Sequence, residues 1–198
     1  MPYDRNRYQD KWRIERLARR VREQVGLDQF AVVDPWALAE AIPAHIFYPE
    51  DLVPPTLARA ARTVDWDGGS FCVPGDNVLM VLLNPTRPKT RQSATLMEEF
   101  SHHLLNHQPT RLFVDPQTGL LRREFNQAQE HEAYDLGATI LLPKELVQKE
   151  VNRGVSSIDV ARQHGCSPDL VAYRIRRCRL WNRHLMLGAG SSREISAY

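Results

Sequence analysis

The chain has 198 residues, 42% hydrophobic and 25% charged, with a formal net charge of +2, a composition that suits a soluble globular protein with one core or a core plus a small module. Its longest apolar run, Val78 to Leu83, is far too short to span a bilayer, and Met1-Pro2-Tyr3-Asp4-Arg5 lacks the apolar stretch of a signal peptide. Cys72, Cys166 and Cys178 form no C-x-x-C pair, which argues against a Cys-rich zinc site and for reduced thiols in the cytoplasm.

Lys11 to Val25 places Trp12, Ile14, Leu17, Ala18, Val21 and Val25 at helical spacing, with an arginine-rich outer face. A second helix is expected after Asp34 as N-cap, with Pro35 at its first position and a stop before Pro43. His45 to Tyr48 is extended. Ser70 to Val73 and Val78 to Leu83 read as strands that Pro74-Gly75-Asp76-Asn77 joins into a hairpin. Thr86 to Thr90 is a proline-containing loop, and a central helix runs from Gln92 or Thr95 to Leu105. Another helix covers about Phe125 to Leu142, ended by Pro143, and short helices follow from Lys144 to a frayed tail at Gly188 to Tyr198.

The central helix carries the chemistry. Two ligands four residues apart on one helix point at one metal ion, and a glutamate directly after the first can take a proton from water at that ion. The usual string is H-E-x-x-H; here it is Glu98-Glu99-Phe100-Ser101-His102. Met97, Phe100 and Leu104 form the apolar seam opposite, and the following helix offers Glu130, His131, Glu132 and Asp135 as further ligands. The edge of the preceding hairpin could hold a peptide by strand addition. Other readings stand beside this one. Thr95 and Glu98 match a capping box, His102, His103 and His107 could be surface residues, and Glu99, His103 and His107 make a second stripe at i, i+4 spacing.

The wider context resembles a known family. Leu83-Asn84-Pro85, Arg91-Gln92, Thr95-Leu96, Glu98 to His102 and Leu104-Leu105 are similar to the "LN … RQRFTLAHELGHxLL" block of the ImmA/IrrE metallopeptidases. Glu132-Ala133-Tyr134 followed by Leu141-Leu142-Pro143 resembles its second block, "EAN-x-FA…LLMP". The resemblance implies an α+β, zincin-like fold with a small sheet or hairpin packed on the active-site helix. It implies metal ligands at His102 and Glu132, with Glu98 where the family has His, and Glu99 as general base. The implied activity is zinc-dependent cleavage of a transcriptional repressor, of the kind used in stress responses.

Glutamate at position 98 changes the site's electrostatics. Two carboxylates and one neutral imidazole cancel the 2+ charge of the ion, so Mn2+ or Fe2+ joins Zn2+ as an expected occupant. The expected organisation is a zincin-like domain over 1–150, a helix-turn-helix-like segment over 151–185 and a flexible tail over 186–198. In the second segment Ala161, Gly165 and Val171 sit at helix-turn-helix offsets, and Arg174, Arg176 and Arg177 could meet phosphates. The expected partner is a helix-turn-helix repressor as substrate, with no membrane. The alternatives are a non-catalytic protein that binds metal, a repressor or an antitoxin on the same fold, and a DNA-binding regulator.

Overall fold

The computed structural model describes residues 5–54, 66–72, 78–108, 112–114, 121–123 and 126–187. The expected hairpin turn at Pro74 to Asn77, together with Val73, Phe125 and the tail from Gly188, lies outside the described residues.

Helix α1 (Arg5–Gln24) buries Ile14, Ala18 and Val21, one stripe of its surface. Arg22 goes inward with them, only 2% exposed. Its guanidinium donates to the carbonyls of Asp28, Ala31 and Ile140, so each polar group is satisfied. Helix α2 (Pro35–Ala41) starts as its sequence dictates, with the Asp34 carboxylate accepting from the Trp36 amide and Pro35 in the first turn.

Strand β1 (Ala44–Phe47) is followed by a single turn, α3 (Pro49–Leu52), then by β2 (Gly68–Cys72) and β3 (Leu79–Leu83). The sheet has the order β1-β3-β2, with β1 parallel and β2 antiparallel to β3. The apolar run is therefore the central strand, with Leu79, Val81 and Leu83 buried. Strand β2 begins at Gly68, two residues before the hydrophobic signal starts. A Cβ at Gly68 would lie 2.7 Å from Thr95 Cγ2 and 2.8 Å from the Leu82 carbonyl, so glycine lets the strand pass close to the next helix.

That helix, α4 (Lys89–Leu104), starts three or more residues earlier than expected, because Pro88 serves as its N-cap. Thr95 consequently lies in the second turn, buried. This corrects the capping-box reading, since Glu98 is too far from the helix start to bond back to it. Two further short strands, β4 (Leu112–Val114) and β5 (Leu121–Arg123), pair antiparallel; three-residue strands carry too little periodicity to be read from sequence.

Helix α5 (Gln127–Leu141) is capped by Asn126, whose side-chain oxygen accepts from the Ala128 and Gln129 amides. It packs tightly on α4. A Cβ at Gly137 would come within 3.0 Å of the Met97 carbonyl oxygen. The core is completed by α6 (Lys144–Asn152), α7 (Ser157–His164), α8 (Pro168–Arg177) and α9 (Trp181–Met186). Helices α7 and α8 are joined by a short turn. Gly165 takes the left-handed conformation at φ 61°, Ser167 caps α8, and Ala161 and Val171 are buried. The architecture is α+β, with the small mixed sheet set on α4 and a mostly helical C-terminal region. No described helix is long and apolar enough to cross a membrane.

Candidate metal centre

The start of α4 is tied to the sheet by the polar residues around it. Buried Asn84 donates to the Trp66 carbonyl and accepts from the Thr86 amide and hydroxyl. Arg87 also donates to the Trp66 carbonyl and, with Arg91, forms ion pairs with Asp67. The Arg91 hydrogen bond holds the Asp67 carboxyl below its usual range. Gln92 donates to the Arg87 carbonyl at 2.7 Å. These contacts explain the asparagine and arginine before the helix and the glutamine in its first turn: each bonds backbone groups of an irregular loop that would otherwise lack partners.

Leu96, Met97 and Phe100 point into the core and are at most 1% exposed. Glu98, Glu99, His102 and His103 are left half-buried on the remaining faces. Glu98 and His102 meet at the expected i, i+4 spacing, and Glu130 from the first turn of α5 completes the group. One ligand atom from each lies within 4.8 Å of the other two. The His102 Nε2 to Glu130 Oε2 distance is 3.5 Å, close to the ~3.4 Å between two ligands each about 2.1 Å from a tetrahedral ion. Two carboxylates and an imidazole are a donor set that suits a divalent cation, and the residues therefore fit one.

The resemblance assigned the third ligand to Glu132, and the structure puts that carboxylate elsewhere. Glu132 pairs with Arg13 of α1 and with His107 Nε2 at 3.1 Å. Residues two apart on a helix leave it about 200° apart, so Glu130 and Glu132 cannot share a direction. Glu130 lies on the stripe of Tyr134, Gly137 and Leu141, which faces Ala94, Met97 and Glu98 of α4 across a small cavity. The glycine that marks the close helix contact is the signal that would have selected it.

The second stripe, Glu99, His103 and His107, is drawn apart. Glu99 accepts a 2.5 Å hydrogen bond from Ser70 Oγ on β2, and His103 Nδ1 lies 3.7 Å from Cys72 Sγ on the same strand. His107 turns away to His102 and Glu132. Burial is the largest reason its imidazole pKa is lowered, with the positive fields of His102 and Arg13 next. His131 is exposed. Asp135 is buried and receives Tyr173 Oη at 3.0 Å and Arg177 through two nitrogens.

Two of the three arginines offered for phosphate binding are consequently engaged inside the protein. Arg174 is 1% exposed and bonded to the Leu142 carbonyl, Glu15 and Asp135. Arg177 is paired with Asp135. Arg176 is exposed and stacks on Trp181, 4.1 Å from the ring centroid. Ser70 and Arg13 were missed by sequence reasoning, because neither has a spacing relation to the motif.

A helix that presents two potential ligands and an adjacent glutamate, backed by a second helix with a third candidate and flanked by an edge strand, matches a zincin-like architecture. Residues 57–176 match the IrrE N-terminal-like domain, peptidase family M78, and the chain belongs to that family. No curated protein matches the chain.

Proposed function

We propose that this protein is a divalent-metal-dependent endopeptidase, with Glu98, His102 and Glu130 holding the ion and Glu99 as general base. The observation that carries this reading is the convergence of those three side chains next to a glutamate pinned by Ser70. The bound cation would supply Lewis acidity to the scissile carbonyl and to water. Glu99, next in the chain to Glu98, would take the proton from water and return it to the leaving amide nitrogen. Ser70 fixes the Glu99 carboxylate on the side of the helix that faces β2. The strand β2 pairs only with β3 among the described residues, so its other edge offers backbone groups to an extended substrate.

The substrate class is a cytoplasmic regulatory protein, a helix-turn-helix repressor, on the strength of the family resemblance. The working ion is Zn2+, Mn2+ or Fe2+. The zincin-like unit spans 1–150, and 151–185 is a helical segment docked on it. Replacing Glu99 with Gln is expected to abolish cleavage and leave metal content unchanged; cleavage by the variant would remove Glu99 as the base. Glutamate at position 98 favours a second reading, a non-catalytic relative that holds a repressor or antitoxin without cutting it. Recovery of an intact partner in the presence of excess metal would support that reading.

A further inference from the structure

The phase of the β2–β3 ladder fixes where the backbone of β2 points. Asn84 donates its amide to the Asp67 carbonyl at 2.9 Å, one pair beyond Gly68 and Leu83 in the same register. Hydrogen-bonded and non-hydrogen-bonded pairs alternate along an antiparallel ladder. Gly69 and Phe71 therefore turn their N–H and C=O groups to β3, whereas Gly68, Ser70 and Cys72 turn theirs to the opposite edge. The Leu79 amide agrees with this phase, because it donates to the Pro43 carbonyl on the β1 side. No described strand occupies the outer edge of β2. Gly68, Ser70 and Cys72 each present a donor and an acceptor there, at the spacing of another peptide backbone.

Side chains divide the strand between its two faces. Ser70 and Cys72 face α4, where Ser70 Oγ bonds to Glu99 and Cys72 Sγ lies near His103. Phe71 faces away from α4, opposite Met80 of β3, and is 58% exposed. A Cβ at Gly69, on the same face, would meet nothing within 4 Å, so open space borders the Phe71 ring. Soluble proteins guard an edge strand with a charge, a proline or a bulge. The Gly-Gly-Ser-Phe-Cys sequence of β2 has no charge and no proline, and its register runs without a bulge.

We infer that Phe71 is a specificity-determining residue: the β2 edge takes an extended peptide that sets a large apolar side chain against the Phe71 ring. This rests on the endopeptidase reading above and adds which substrate side chain is selected. Along an added strand, residues opposite Ser70 and Cys72 carry their side chains to the α4 side. The residue between them carries its own to Phe71. The selected side chain is thus the neighbour of the one that passes Ser70 and the glutamate it holds.

The test pans short peptides of random sequence on the full-length Glu99→Gln variant, which should bind without cutting. Enriched sequences are expected to share one position held by Leu, Ile, Met or Phe. Phe71→Arg in the same chain should exchange that preference for Asp or Glu at the same position. Phe71→Ala should weaken binding of an enriched peptide about 10-fold, as loss of an apolar contact does. Because Phe71 is exposed, neither change empties the core. Amide exchange gives a second readout. The enriched peptide should slow exchange at Ser70 and Cys72 and leave Phe71, already bonded to β3, unchanged.

The absence of any enriched sequence, a preference unmoved by Phe71→Arg, or protection away from β2 overturns the inference. Protection of Ser70 and Cys72 in the protein alone, growing with its concentration, assigns the edge to a second copy of the chain and overturns it too. An enriched peptide that the parent protein binds through Phe71 but leaves uncut upholds Phe71 as the selecting residue and defeats the endopeptidase reading.

Discussion

At the scale of single residues, Glu98 sets this centre apart from the H-E-x-x-H pattern. In the proposed centre it would bring, with Glu130, two carboxylates to an ion that His102 would meet through its imidazole. A histidine at 98 would reach the same point, because i and i+4 side chains share a face. It would leave one positive charge uncompensated and replace a hard oxygen with an imidazole nitrogen, which favours zinc over manganese. Glu98→His is thus expected to raise the ratio of Zn2+ to Mn2+ affinity, measured by competition against a chelator. An unchanged or lower ratio would show that Glu98 does not touch the ion. The pairing of Glu98 with His102 was legible because it is local. The choice between Glu130 and Glu132 was not, because it depends on how α5 is rotated against α4. That rotation is set by the contact of Gly137 with the Met97 backbone, a long-range fact with a short-range trace.

At the scale of elements, α8 shows how a local pattern can be read well and its purpose misread. The offsets of Ala161, Gly165 and Val171 specify two helices and a turn, and the structure has them. The arginines that follow look like a basic face, yet the partner of Arg177 lies 42 residues earlier, at Asp135. Nothing in the spacing of α8 reveals it. Asp135 joins α5 to Tyr173, Arg174 and Arg177, and with Glu15 the same cluster reaches α1. The network stands behind the ligand-bearing helix and holds its position. Asp135→Ala leaves Arg174 buried with a missing counter-charge, and breaking a buried pair from one side costs about 3–5 kcal/mol. The Tm should fall sharply for this variant, whereas Arg176→Ala, which loses a surface stacking contact, should cost at most about 1 kcal/mol. Equal losses for the two would mean that the buried network is not what secures α8.

Across the whole molecule, the same helical region makes stability depend on pH. His164 closes α7, and its Nδ1 is buried with no hydrogen-bond partner among the described residues. Burial lowers its pKa, and the field of Glu150 opposes this while those of Arg22 and Lys149 reinforce it. The folded protein therefore binds this proton less readily than the unfolded chain, whose imidazole titrates near the ordinary 6.5. Above that value neither state holds the proton and stability is level; as pH falls below it the unfolded state gains. His107 is shifted in the same direction. Asp67 acts in a different window: its depressed carboxyl pKa contributes stability above the ordinary 3.8 that is lost only in stronger acid. The expected result is a Tm that falls between pH 7 and 5, before the carboxylates titrate. Since Arg22 also joins α1 to the end of α5, protonation at His164 opposes a charge the core already holds. His164→Leu, which cannot take the proton, should flatten the fall over this range while leaving the steeper loss below pH 4. A variant whose Tm tracks the parent at every pH would remove His164 as the source, and a parent with constant Tm from 7 to 5 would remove both histidines.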